Sequence, residues 1–145
     1  ILRNNKKYIL LNCDSDSIIH ININKIQASD PYISTTGLLL LAYKNEGEID
    51  DLIKEKGIPK IFSDGAAFKA ALSKIKKEGL NTFLFGDKIY EISAPVFLGG
   101  KVVAAVGLYR PLYEVTSEME RTAVFELLKA ADKINKILRG DKNEQ

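Results

Sequence analysis

The sequence predicts an α+β domain, a central, largely antiparallel sheet with helices packed on its faces. Three observations predict it. Strand-like segments come in groups, separated by groups of helical segments, rather than alternating one by one. Gly99-Gly100 joins the two longest apolar segments as a tight hairpin, which forces antiparallel pairing. The helical stretches end at glycines, Gly57, Gly79 and Gly140, as helices in compact domains commonly do. A length of 145 residues suits one domain, 1–145, around one core.

Taken in order, Lys7 to Cys13 reads as a strand and Asp14-Ser15-Asp16 as turn chemistry. Ile18 to Lys25 alternates strictly, with Ile19, Ile21 and Ile23 on one side and His20, Asn22 and Asn24 on the other. Ser29-Asp30-Pro31 breaks this hairpin. Thr36 to Tyr43 is a helix, and Glu48 to Lys56 a second one. Ser63 or Asp64 caps a third, which runs to Glu78 with Ala67, Ala71, Leu72 and Ile75 facing inward. Leu80 to Phe85, Tyr90 to Phe97 and Lys101 to Leu108 are strands. The last two are apolar at nearly every position, which predicts burial on both faces for Val96, Val103, Ala105 and Val106. The final helix runs from Thr116 to Leu138. Its inner stripe is Met119, Ala123, Leu127, Ala130, Ile134 and Ile137; Glu118, Arg121, Lys129, Asp132, Lys133 and Lys136 line the other side.

Composition narrows the function. With 21 basic and 19 acidic residues the net charge is +2, without the basic excess of a nucleic-acid surface. No run reaches the roughly 18 apolar residues of a membrane span, and the opening ILRNNKKYILLN lacks the pattern of a secretory signal. Cys13 is the single cysteine and His20 the single histidine, so the usual transition-metal sites are not expected. A cytoplasmic setting is expected from this cysteine usage. Gly99-Gly100-Lys101 does not complete a phosphate loop, since Val102 stands at the hydroxyl position. The sequence calls for no catalytic residue, no metal and no cofactor, and an enzyme is not expected.

One segment suggests binding. In Ile33-Ser34-Thr35-Thr36-Gly37 followed by four leucines, three hydroxyls precede a helix that needs one cap. A helix start carries unpaired N–H groups and a partial positive charge. The leucines behind it supply apolar walls. The plain alternative is a cap, a first turn and a tolerated glycine. Gly37 would let a ligand or a strand come close to the helix backbone.

The stretch EISAPVFLGGKVVAAVGLYRP, Glu91 to Pro111, resembles the signature of the IclR family of transcriptional regulators. That family has an A-P-V-F strand, a tight hairpin, a V-V-A-A strand, a polar stretch ending in proline, and a long closing helix. Ser34-Thr35-Thr36-Gly37-Leu38-Leu39-Leu40-Leu41-Ala42 is similar to its T-A-x-G-K-A-L-L-A segment. The helix Asp64 to Glu78 with Gly79 is similar to the element before the family's meander. The resemblance implies a GAF-like effector-binding domain. It implies a ligand pocket between the sheet and Ser34, Thr35, Thr36 and Gly37, with Glu91, Ser93, Gly107 and Tyr109 contributed by the strands.

The implied partners are a small-molecule effector and further copies of the chain, as a dimer or tetramer. DNA would be met only through a winged helix-turn-helix expected upstream of Ile1, and no membrane is involved. Tyr109 and Glu91 are larger and more acidic than the small hydroxyl and neutral residues usual at such positions. Two alternatives stay open: an oligomerisation module whose pocket is filled, and a GAF-like sensor with another output.

Overall fold

The computed structural model describes residues 1–11, 30–85 and 88–140. Among them, two antiparallel sheets and four helices form. A small hairpin opens the chain, β1 (Leu2–Arg3) and β2 (Lys6–Lys7). Asn4 and Asn5 make its turn with φ of 47° and 56°, the left-handed pair that a two-residue hairpin requires. The strand expected from Lys7 to Cys13 does not extend over Tyr8 to Leu11, and residues 12 and 13 lie outside the described residues. The assigned strand ends at Lys7; one further pair of backbone bonds joins Tyr8 to Ile1, at 2.8 Å each, and Tyr8 to Leu11 are exposed. The Asp14-Ser15-Asp16 turn and the alternating strand from Ile18 to Lys25 lie outside the described residues.

A 3-10 turn, Pro31–Ile33, leads into α1 (Thr35–Ala42). This helix is apolar all round, and Leu38 to Ala42 are all buried, as a helix inside a core must be. Next come α2 (Glu46–Lys56) and α3 (Gly65–Glu78). α2 starts two residues before the expected Glu48, because Asn45 and Glu48 form a reciprocal capping box. Asp64 caps α3, and Gly79 closes it at φ 64°. Phe68, Leu72 and Ile75 turn inward from α3 and join α1 and Ile49 and Leu52 of α2 in one core.

The main sheet has the order β3-β4-β5, from β3 (Asn81–Phe85), β4 (Ile89–Leu98) and β5 (Lys101–Pro111), antiparallel throughout. Gly99 and Gly100, both at positive φ, turn β4 into β5. β3 pairs β4 only as far as Ser93. Pro95 lies beyond that point, where a missing donor disturbs one ladder rather than two. β4 is the buried strand, with Val96 at 3% exposure. β5 corrects the expectation of burial on both faces: Val103 is 40% exposed, and Ala105 and Val106 are half-buried. The reason is position. Among the described residues β4 has a strand on each side, whereas β5 has one only on its β4 side.

α4 (Ser117–Arg139) starts at its cap, Thr116, whose hydroxyl accepts from Met119 N, and stops at Gly140. It covers the other face of the sheet, where Leu127 and Ala131 meet Tyr90, Ile92 and Ala94. The predicted stripe needs correcting at two places, because Ala130 and Ile137 are exposed. After Leu127 the buried side advances four residues to Ala131, not three, which keeps pace with 3.6 residues per turn. Asn135 Oδ1 accepts from Phe97 N at 2.7 Å, where the β4–β5 register shifts between Val96 and Phe97. The helix side chain thus satisfies a strand donor at the irregularity.

The result is layered. Glu91, Ser93 and Pro95 face α1 together with Tyr109, Gly107 and Ala105, their cross-strand partners. Tyr90, Ile92 and Ala94 face α4. The period of two along β4 assigns its residues to the two layers.

Candidate functional site

The N-terminus of α1 meets the sheet through a buried polar cluster. Ser34 is the cap. Its Oγ accepts from Gly37 N at 3.2 Å and from Lys7 Nζ at 2.9 Å, and lies 3.5 Å from Thr36 Oγ1. Thr35, 1% exposed, gives both its N–H and its hydroxyl to Glu91 Oε2, at 3.1 and 3.0 Å. Asn81 Nδ2 donates to Thr35 O at 3.0 Å. The three hydroxyls therefore divide their work. Ser34 caps the helix, Thr35 binds a carboxylate from the sheet, and Thr36 packs on β5.

Gly107 makes that last contact possible. A Cβ at Gly107 would lie 2.7 Å from Thr36 Cγ2 and 3.9 Å from Ser93 Cβ. Ser93 sits opposite both Asn81 and Gly107 in the register. It is fully buried, and its Oγ has no partner among the described residues. Tyr109 lies across from Glu91, half-buried.

Electrostatically the cluster balances. The α1 N-terminus and Lys7 are positive, and Glu91 is negative. Burial pushes the Lys7 ammonium below the ordinary lysine value, and the Glu91 carboxylate pulls it partly back. Tyr90, next to Glu91 but facing α4, donates to Glu120 at 2.9 Å, and burial with that carboxylate raises its phenol.

Of the eight residues expected at a pocket, Ser34, Thr35, Thr36, Glu91, Ser93 and Gly107 come together here, with Tyr109 beside them. Gly37 has a different task. A Cβ there would lie 2.2 Å from Pro31 O, so the close approach it permits is that of the chain's own backbone. Two members of the cluster were not read from sequence. Asn81 carries a usable signal, a side-chain amide opening a strand two residues after a helix-closing glycine. Lys7 carries none, since it looks like its exposed neighbour Lys6. Among the described residues, no group of three or more His, Cys, Asp and Glu side chains could hold a metal. No helix among them is long and apolar enough to cross a membrane.

No protein-family model and no curated protein matches the chain. Solved structures do. An IclR homolog complexed with 4-hydroxybenzoate, from Microbacterium hydrocarbonoxydans, matches with a TM-score of 0.79 and 22% identity, over 97% of this chain and 59% of its own. An IclR homolog from Microbacterium sp. strain HM58-2 gives 0.68 and 21%, over 88% of this chain. The chain spans about half of that homolog, 51%. The C-terminal domain of the E. coli transcriptional regulator KdgR gives 0.64 and 20%, over 76% of this chain and 71% of that one. The chain thus has the GAF-like fold of IclR-family regulator domains.

Proposed function

We propose that this chain is the ligand-sensing and oligomerisation domain of an IclR-type transcriptional regulator in the cytoplasm. It binds a small-molecule effector, does no chemistry, and controls a DNA-binding domain outside the chain. One observation carries this reading: the buried polar cluster between α1 and the strands β4 and β5, on a fold whose solved counterpart is complexed with 4-hydroxybenzoate. The site consists of Ser34, Thr35, Thr36, Glu91, Ser93, Gly107 and Tyr109, with Gly37 supporting it through Pro31. An effector acts by binding two arrangements of the assembled domains unequally.

A thermal-shift and calorimetric screen of small metabolites on residues 1–145 tests this. A ligand at a hundred times its Kd adds about 2.7 kcal/mol, which raises the midpoint by about 5–10 °C in a domain of this size. A screen in which no metabolite gives a saturable shift overturns the sensing role.

Self-association is supported by the free side of α4, where Phe125 is 63% and Leu128 45% exposed. Such side chains suit a contact between copies. Sedimentation at high micromolar concentration should show a dimer or larger, and Phe125→Glu should shift it toward monomer. A strict monomer in the unmodified chain rules the oligomerisation role out.

A further inference from the structure

The site contains its own anion. A helix start buried against a sheet is a position for a carboxylate or phosphate, because its N–H groups and dipole favour negative charge. Here that position is filled by Glu91, whose Oε2 takes both donors of Thr35, N–H and hydroxyl. Glu91 is itself buried, 6% exposed, and Lys7 stands nearby as the second positive group. An incoming anion would find these donors taken and a like charge beside it. An incoming cation would face Lys7 and the positive end of α1.

One polar group remains to be satisfied. Ser93 Oγ is fully buried on the same sheet face as Glu91, flanked by Asn81 and Gly107 under the start of α1, and has no partner among the described residues. A hydroxyl both donates and accepts, so an uncharged hydroxyl or amide group satisfies it. A buried polar group of this kind is otherwise costly.

We propose that the site takes an uncharged polar ligand, with Ser93 as a direct contact and Glu91 as a built-in occupant that excludes carboxylates. This rests on the sensing role proposed above. It separates the chain from a carboxylate-binding counterpart by the chemistry of its own residues.

Calorimetry with 4-hydroxybenzoate and its uncharged isostere 4-hydroxybenzamide tests the idea on the unmodified chain and on Glu91→Gln, which keeps the shape and one acceptor. The unmodified chain should favour the amide at least tenfold, and Glu91→Gln should move the ratio at least tenfold toward the carboxylate. A second arm uses acetate, which should raise the melting temperature of Glu91→Ala and leave that of the unmodified chain unchanged. Equal binding of the two aromatics by the unmodified chain overturns the proposal, as does a ratio that Glu91→Gln leaves alone. If neither aromatic binds, the acetate arm decides, and an unresponsive Glu91→Ala overturns it. The sensing role fails separately, through the wider screen on the unmodified chain.

Discussion

Gly37→Ala lowers the melting temperature by about 2–8 °C, the equivalent of roughly 1–2 kcal/mol in a domain of this length. The added carbon would lie 2.2 Å from Pro31 O and 2.7 Å from both Pro31 C and Pro31 Cα. These are backbone atoms, and they cannot swing aside as a side chain does. Either α1 or the 3-10 turn must shift, and overpacking of this kind costs typically about 1–3 kcal/mol, sometimes more. Alanine is the better helix former by about 1 kcal/mol, so the expected loss is the net of the two. A thermal melt decides it, and a midpoint within about 2 °C of the unmodified chain would remove the close-approach argument. The sequence suggested a ligand or a strand as the neighbour at this glycine. The structure supplies Pro31, six residues upstream.

Phe68→Ala costs about 3–5 kcal/mol, the range for removing a large buried aromatic. Phe68 is fully buried. Its ring meets Tyr32 edge-on, centroids 5.6 Å apart at 77°, and packs on Phe62 at 5.2 Å. Tyr32 in turn donates to Gly57 O at 2.8 Å, closing the end of α2, and burial pushes its phenol up to about 12. The cavity therefore loosens three contacts at once: α3 against the 3-10 turn, the turn against α2, and the support behind α1. Urea denaturation should show a lower midpoint with an unchanged slope. Phe68→Leu should lose less than half as much, and equal losses would mean that refilling the volume recovers nothing and that the ring contacts carry the whole effect.

Local chemistry made most elements legible. Asp64 and Thr116 mark helix starts by offering an oxygen to a free N–H, and Gly79 and Gly140 mark ends by accepting a left-handed backbone. Gly99-Gly100 fixed the hairpin for the same backbone reason. Burial was less legible, because it depends on neighbours distant in sequence. Val103 reads as a core valine, yet β5 lacks a second strand beside it among the described residues. Ala130 and Ala131 are chemically identical, and only the accumulated pitch of α4 separates the exposed one from the buried one. At the site, Ser34 announced itself as a cap. The bond from Thr35 to Glu91 spans 56 positions, and no local pattern points to it. Glu91 stands just before A-P-V-F, a place that says where the residue lies and not what it holds.

β4 has a mechanical consequence. Adjacent Cα atoms are 3.8 Å apart across a rigid planar peptide. Glu91 grips the start of α1, and Tyr90, one peptide earlier, grips Glu120 in the first turn of α4. A displacement that frees Glu91 from Thr35 pulls on the same peptide plane that anchors Tyr90. The strand thus ties two helix ends on opposite sides of the sheet to neighbouring residues, with attachment points one residue apart.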